Sequence, residues 1–191
     1  MLISNDFEVA QPVSRVWEFF GDIPRVAACL PGAQLTDNLG DDKYGGSVAV
    51  RMGPVRLQFA GTAEITERDE AGKRVVVHAT GAEERGRGQA SMVVTAALTQ
   101  AGSGTKVAVT QDLQLAGAAA QYGRGMISDV TAVLMRDFSA NMASQIAAAE
   151  RGETVLAAAA PAGGLAIGLR AALMALRRVF RRFFVPYQAT S

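Results

Sequence analysis

The chain has 191 residues, 49% apolar and 19% charged, which excludes a charge-rich unfolded polypeptide and fits one domain with appendages. The net charge of +1 conceals a split: residues 165–191 hold five Arg and no acid, leaving 14 bases against 18 acids, a net −4, in residues 1–164. A mildly acidic body with a basic tail argues against a nucleic-acid binder, whose basic patch belongs on the folded part.

Leu2 to Ala10 alternates Ile3, Phe7 and Val9 against Ser4, Asp6 and Glu8, the pattern of an amphipathic strand. Pro12 opens a short helix from Val13 to Phe20 in which Val13, Val16, Trp17 and Phe20 share a face, and Gly21 stops it. A second helical piece from Arg25 to Leu30 ends at Pro31-Gly32, after which the chain returns into strand. From Tyr44 to Met52 the even positions are apolar or small, and from Val55 to Ile65 the odd positions are, with a Gly53-Pro54 turn between them. Val75, Val77 and Ala79 follow, then a glycine-rich break at Gly86–Gly88, then Ala90 to Leu98. Ser103-Gly104 turns into Val107, Val109, Leu113 and Leu115. Short turns at this spacing predict an antiparallel meander with one wet face. A long helix is predicted from about Ala118 to Glu150, with Ile127, Val130, Leu134, Met135, Phe138, Met142 and Ile146 on one broad face and Gly152 as its stop.

Residues 151–164 read as an Ala/Pro/Gly linker. Residues 165–191 read as a basic amphipathic tail. Leu169, Leu173, Leu176, Phe180, Phe183 and Phe184 gather in one sector, with Arg177, Arg178, Arg181 and Arg182 beside them. A bilayer span would place these Arg in hydrocarbon at about 2.5–3.5 kcal/mol each, against about 0.3–0.6 gained per Leu or Phe. An interfacial helix on an anionic membrane is the expectation, with docking on a partner protein as the alternative.

The residues offer little catalytic chemistry. His78 is the only histidine and is expected on the outer face; no His/Cys/carboxylate cluster has metal-ligand spacing. Cys29 is alone, which fits a reducing compartment, and the N-terminus lacks the pattern of a secretory signal, so a cytoplasmic address is expected. The expected inward register is more informative. Gly46, Gly61, Ala63, Ala79, Ala90 and Ala96 are small: they either let the helix approach the sheet or leave a volume for an apolar ligand. Asn5, Tyr44, Gln111 and Asn141 are polar groups on the same faces; they either satisfy backbone and one another or orient a carbonyl or hydroxyl of that ligand.

The order strand, two short helices, meander, long helix resembles the helix-grip fold of the START and birch-pollen-allergen superfamily, an α+β architecture with a curved antiparallel sheet of about seven strands wrapped on a C-terminal helix. The run Phe7-Glu-Val-Ala-Gln-Pro-Val-Ser-Arg-Val-Trp-Glu-Phe-Phe and the segment Cys29-Leu-Pro-Gly-Ala33 are similar to the G subunit of carbon monoxide dehydrogenase. The likeness extends through Tyr44-Gly-Gly-Ser-Val and the Gly-Thr-Ala-Glu-Ile segment at 61–65, so over residues 1–150. It implies a non-catalytic accessory protein that recruits a molybdenum hydroxylase to the inner face of the cytoplasmic membrane. It also implies a quinone-like molecule, such as menaquinone or ubiquinone, in the grip cavity and no covalent cofactor. The alternative is a polyketide-cyclase-like or lyase-like enzyme using Tyr44, Gln111 or Asn141. No family motif assigns the cavity residues, so register alone gives them. The sheet side and its first helix supply Phe7, Trp17, Tyr44, Val48, Phe59, Gly61, Ala63, Met92 and Gln111; the long helix supplies Met126, Val130, Leu134, Phe138 and Asn141.

Overall fold

The computed structural model describes residues 1–151; the linker and tail expected beyond them, and the stop at Gly152, lie outside the described residues. Strand β1 (Leu2–Val9) leads into helices α1 (Val13–Gly21) and α2 (Ile23–Cys29). Strands β2 (Ala33–Gly40), β3 (Lys43–Met52), β4 (Val55–Asp69), β5 (Arg74–Glu83), β6 (Gly88–Ala101) and β7 (Gly104–Gly117) follow, and helix α3 (Arg124–Glu150) closes the fold. The strands form one antiparallel sheet in the order β1-β7-β6-β5-β4-β3-β2. This is the α+β helix-grip architecture.

The two short helices form where expected, shifted at their ends. Pro12 stands at the N-cap of α1, and Asp22 caps α2 by accepting from the Arg25 amide at 3.2 Å. Strand β2 is the element for which the sequence offered no residues. It is an edge strand, exposed from Gln34 onward, with register shifts at Leu35/Asp37 and Asn38/Gly40. Solvent on both faces and two bulges remove the alternation that marks a half-buried strand.

The long helix starts later than the sequence predicts. Gly117 adopts φ +73°, Ala118–Gln121 form a single 3₁₀ turn, and Gly123 is extended, so regular α structure begins only at Arg124. At 27 residues α3 is about 40 Å long. Its expected apolar stripe is present, with Ile127, Phe138, Met142 and Ile146 buried and Val130, Leu134 and Met135 half-buried. Thr131 joins the stripe, returning its hydroxyl to the Ile127 carbonyl at 2.8 Å.

Strand pairing brings inward residues into rows that cross the sheet. One row runs Gly46, Gly61, Gly81, Ala90, Leu115; the next runs Tyr44, Ala63, Ala79, Met92, Leu113. A Cβ at Gly61 would stand 1.9 Å from the Thr80 carbonyl oxygen, so only glycine lets β4 and β5 come this close. Gly61 therefore shapes the sheet, a different role from the vacant side-chain space that its register alone implies.

Candidate functional site

The apolar interior is divided. A larger cluster includes Val16, Phe19, Cys29, Val75, Ala96, Leu98, Val107 and Val109, with Phe138, Met142 and Ile146 of α3 packed on it. A smaller one includes Ile3, Met52, Leu57, Ala119 and Ile127, with Val130 against it. Helix α3 thus leaves one cluster near Val130 and enters the other at Met135. Between them Leu134 belongs to neither, and on the sheet the same holds for Tyr44, Val48, Ala63, Ala79 and Met92, all half-buried. A sheet face fully covered by a helix buries such positions, so packing along the Gly and Ala rows is incomplete and leaves them partly accessible to solvent. At the β7 end of these rows an open pocket of about 380 Å³ is bounded by Met1, Leu113 and Leu115 on one side and Tyr122, Arg124 and Ile127 on the other.

The residues expected on register separate into three groups. Tyr44, Val48, Ala63, Met92 and Leu134 are half-buried and stand outside both clusters, and Phe59 and Val130 pack against the smaller one. Phe7 and Phe138 meet at the larger cluster as an edge-to-face pair, centroids 6.1 Å apart. Gln111, 5% exposed, sits between Val109 of the larger cluster and Leu113 of the pocket wall.

The third group lies elsewhere. Met126 is 44% exposed and joins neither cluster, because its place on α3 falls outside the stripe that Ile127 and Val130 share. Asn141 gives its amide to the Cys29 carbonyl at 2.9 Å, tying the end of α2 to α3. Trp17 packs against the larger cluster beneath Lys73, whose Nζ is 5.1 Å from the ring centroid, and lines a separate pocket of about 120 Å³ with Phe20, Arg68 and Val75. Ala96 is core.

His78 is on the outer face as expected, 3.5 Å from the Ser91 hydroxyl. Burial pushes the Cys29 thiol up to about 11, which keeps it a neutral, unreactive thiol. Among the described residues no group of His, Cys, Asp and Glu could hold a metal ion, and no helix is long and apolar enough to cross a membrane.

One inward group escaped the sequence reading. Glu83 continues the odd positions Val75, Val77, Ala79 and Gly81 of β5, so the alternation alone points it inward, opposite Phe59. It is 3% exposed. Its carboxylate accepts from the Arg87 guanidinium at 2.8 Å and from the Arg85 and Arg87 amides at 3.0 and 3.2 Å, closing the Gly86 turn. The Arg87 hydrogen bonds hold this carboxyl down to about 2. With its acceptors engaged, Glu83 fixes the β5–β6 turn.

Solved structures with the same fold are plentiful. The chain is similar to a conserved protein of Geobacillus kaustophilus (21% identity, 77% of this chain and 95% of that one, TM-score 0.69). It is similar also to a Thermus thermophilus protein (14%, 76% and 99%, TM-score 0.55) and to an aromatase/cyclase from Streptomyces (14%, 79% and 96%, TM-score 0.57). At these identities the likeness is one of fold. No curated protein matches the chain. The family model for the carbon monoxide dehydrogenase G subunit (CoxG) matches residues 6–147, from the middle of β1 through nearly all of α3, and the chain belongs to that family.

Proposed function

We propose that this protein is a non-catalytic carrier of an apolar, quinone-like molecule, menaquinone or ubiquinone being the candidates, held between the sheet and α3. What supports the reading is the half-buried stretch between the two apolar clusters, where Gly and Ala stand in place of large side chains, with an open pocket of about 380 Å³ at its β7 end. The tail, with Leu169, Leu173, Leu176, Phe180, Phe183 and Phe184 beside Arg177, Arg178, Arg181 and Arg182, would hold the carrier peripherally on an anionic membrane surface at the cytoplasmic side. The name of its family supports a molybdenum hydroxylase of the carbon monoxide dehydrogenase type as the partner it would serve.

The cyclase-like alternative draws on the same space. It has less to work with, since Asn141 is bonded to backbone and His78 faces away. Native mass spectrometry of the full chain released from mild detergent tests the proposal. A bound isoprenoid quinone at one per chain supports it; a chain that emerges empty and does not take up added quinone overturns it.

A further inference from the structure

Two side-chain amides, Asn5 and Gln111, lie on the interior face of the β1–β7 pair, and one of them is left without a partner. The Asn5 Nδ2 atom is buried and has no hydrogen-bond partner, the one such side-chain atom among the described residues. A buried orphan donor costs about 1–3 kcal/mol, so its retention calls for an acceptor. Asn5 lies opposite Val109 and Gln111 lies opposite Ile3, which makes the two amides diagonal neighbours on one face of the β1–β7 pair. Gln111, itself buried, is next along β7 from Leu113 in the wall of the 380 Å³ pocket. Overhead, α3 meets this face at Ile127, clustered with Ile3, and at Phe138, edge-to-face with Phe7; Thr131 and Leu134 lie between them along the helix.

We infer that Asn5 and Gln111 form a polar anchor on the β1–β7 face beneath α3 and hold a neutral carbonyl oxygen of an otherwise apolar ligand; this rests on the carrier reading above. The surroundings select the class. Amide N–H groups want an acceptor, while Ile3, Phe7, Val94 and Val109 around them offer no charge to balance a buried carboxylate or phosphate. A ketone- or quinone-type oxygen satisfies the donor without burying a charge. The oxygen-bearing end would enter first, and the hydrocarbon would lie along the Gly/Ala rows toward the pocket.

The test compares methylnaphthoquinone with methylnaphthalene, one ring system with and without carbonyls, by titration calorimetry on the full chain. Asn5→Leu and Gln111→Leu each keep volume and remove the amide. Each should lower the ratio of quinone to hydrocarbon affinity by about tenfold, one hydrogen bond's worth, while leaving hydrocarbon binding nearly unchanged. In the unaltered chain the carbonyl stretch of the bound quinone should fall below its position in an apolar solvent, and it should return there in the variants. An unshifted band, or an affinity ratio that neither variant changes, overturns the anchor while leaving the carrier standing. Failure of the unaltered chain to bind either compound overturns the carrier reading and the anchor with it. If a variant does not melt cooperatively, the infrared band of the unaltered chain decides alone.

Discussion

Ala79→Leu and Gly61→Ala, neighbours in adjacent rows of the same sheet face, should move stability in opposite directions. Ala79 lies between Ala63 and Met92, outside both apolar clusters and half-buried. Leucine adds three carbons there, at about 0.8 kcal/mol each when fully buried, so about 1 kcal/mol of stabilisation for a site still partly open. At Gly61 a single methyl meets the Thr80 carbonyl oxygen at 1.9 Å and the Gly81 Cα at 2.6 Å, backbone that cannot swing aside. Strands β4 and β5 must part, at a cost toward the upper end of the roughly 1–3 kcal/mol typical of overpacking. Urea melts of both variants read the two signs, and extraction of co-purified apolar molecules reads occupancy. Ala79→Leu should emerge as stable as the parent or more so, and depleted of ligand. A loss of about 1–3 kcal/mol at Ala79 with ligand content unchanged would show that the rows are already packed, and the carrier reading would go with them.

Glu83→Gln should flatten the acid limb of the stability curve. With its carboxyl lowered from 4.5 to about 2, Glu83 adds stability that is present above pH 4.5 and lost as the pH falls through about 2, so urea midpoints of parent and variant should converge across that window. Cys29, buried and raised to about 11, should resist thiol reagents at about pH 8 in the native chain and react only on unfolding; prompt native labelling would contradict its placement. Replacing Arg177, Arg178, Arg181 and Arg182 by Gln should weaken binding to anionic vesicles by up to about 4 kcal/mol, a loss that shrinks with salt and is nearly absent on neutral vesicles. Equal losses on both vesicle types would rule out the electrostatic part of the attachment.

What could be read from the sequence was what periodicity encodes. The β3–β4 hairpin, the β6 and β7 faces and the stripe of α3 all carry alternation or helical spacing tied to burial, and each formed in its expected register. Strand β2 was illegible because neither of its faces is buried. The start of α3 was illegible because Ala118–Gln121 are helix-favouring residues, and only the backbone torsions at Gly117 and Gly123 break the run. Register put Tyr44, Ala63, Met92 and Gln111 on the sheet face they share with Ile65, Val94 and Val109 of the larger cluster. It failed for Asn141, whose partner is a carbonyl 112 positions away. Gly61 shows a further limit: a small residue in an inward position reads alike whether it makes room for a ligand or for a neighbouring strand.

The unequal size of the two clusters gives α3 a firm end and a yielding one. Its C-terminal half is packed on the larger cluster and is fastened by Asn141 to Cys29, Arg25 to the Gln145 carbonyl, and Gln11 to Glu150. Its first turns rest on Ile3 and the smaller cluster, above the pocket between Met1, Tyr122 and Ile127. Local opening draws on the region with the fewest contacts, so amide protons of residues 127–134 should exchange with solvent faster than those of 138–146. A ligand too long to slip past Ile127 and Tyr122 would then enter by lifting the N-terminal turns of the helix, with the far end acting as the hinge. On the carrier reading, loading and release would be paced by that motion, and release would be fastest where a partner held the helix open.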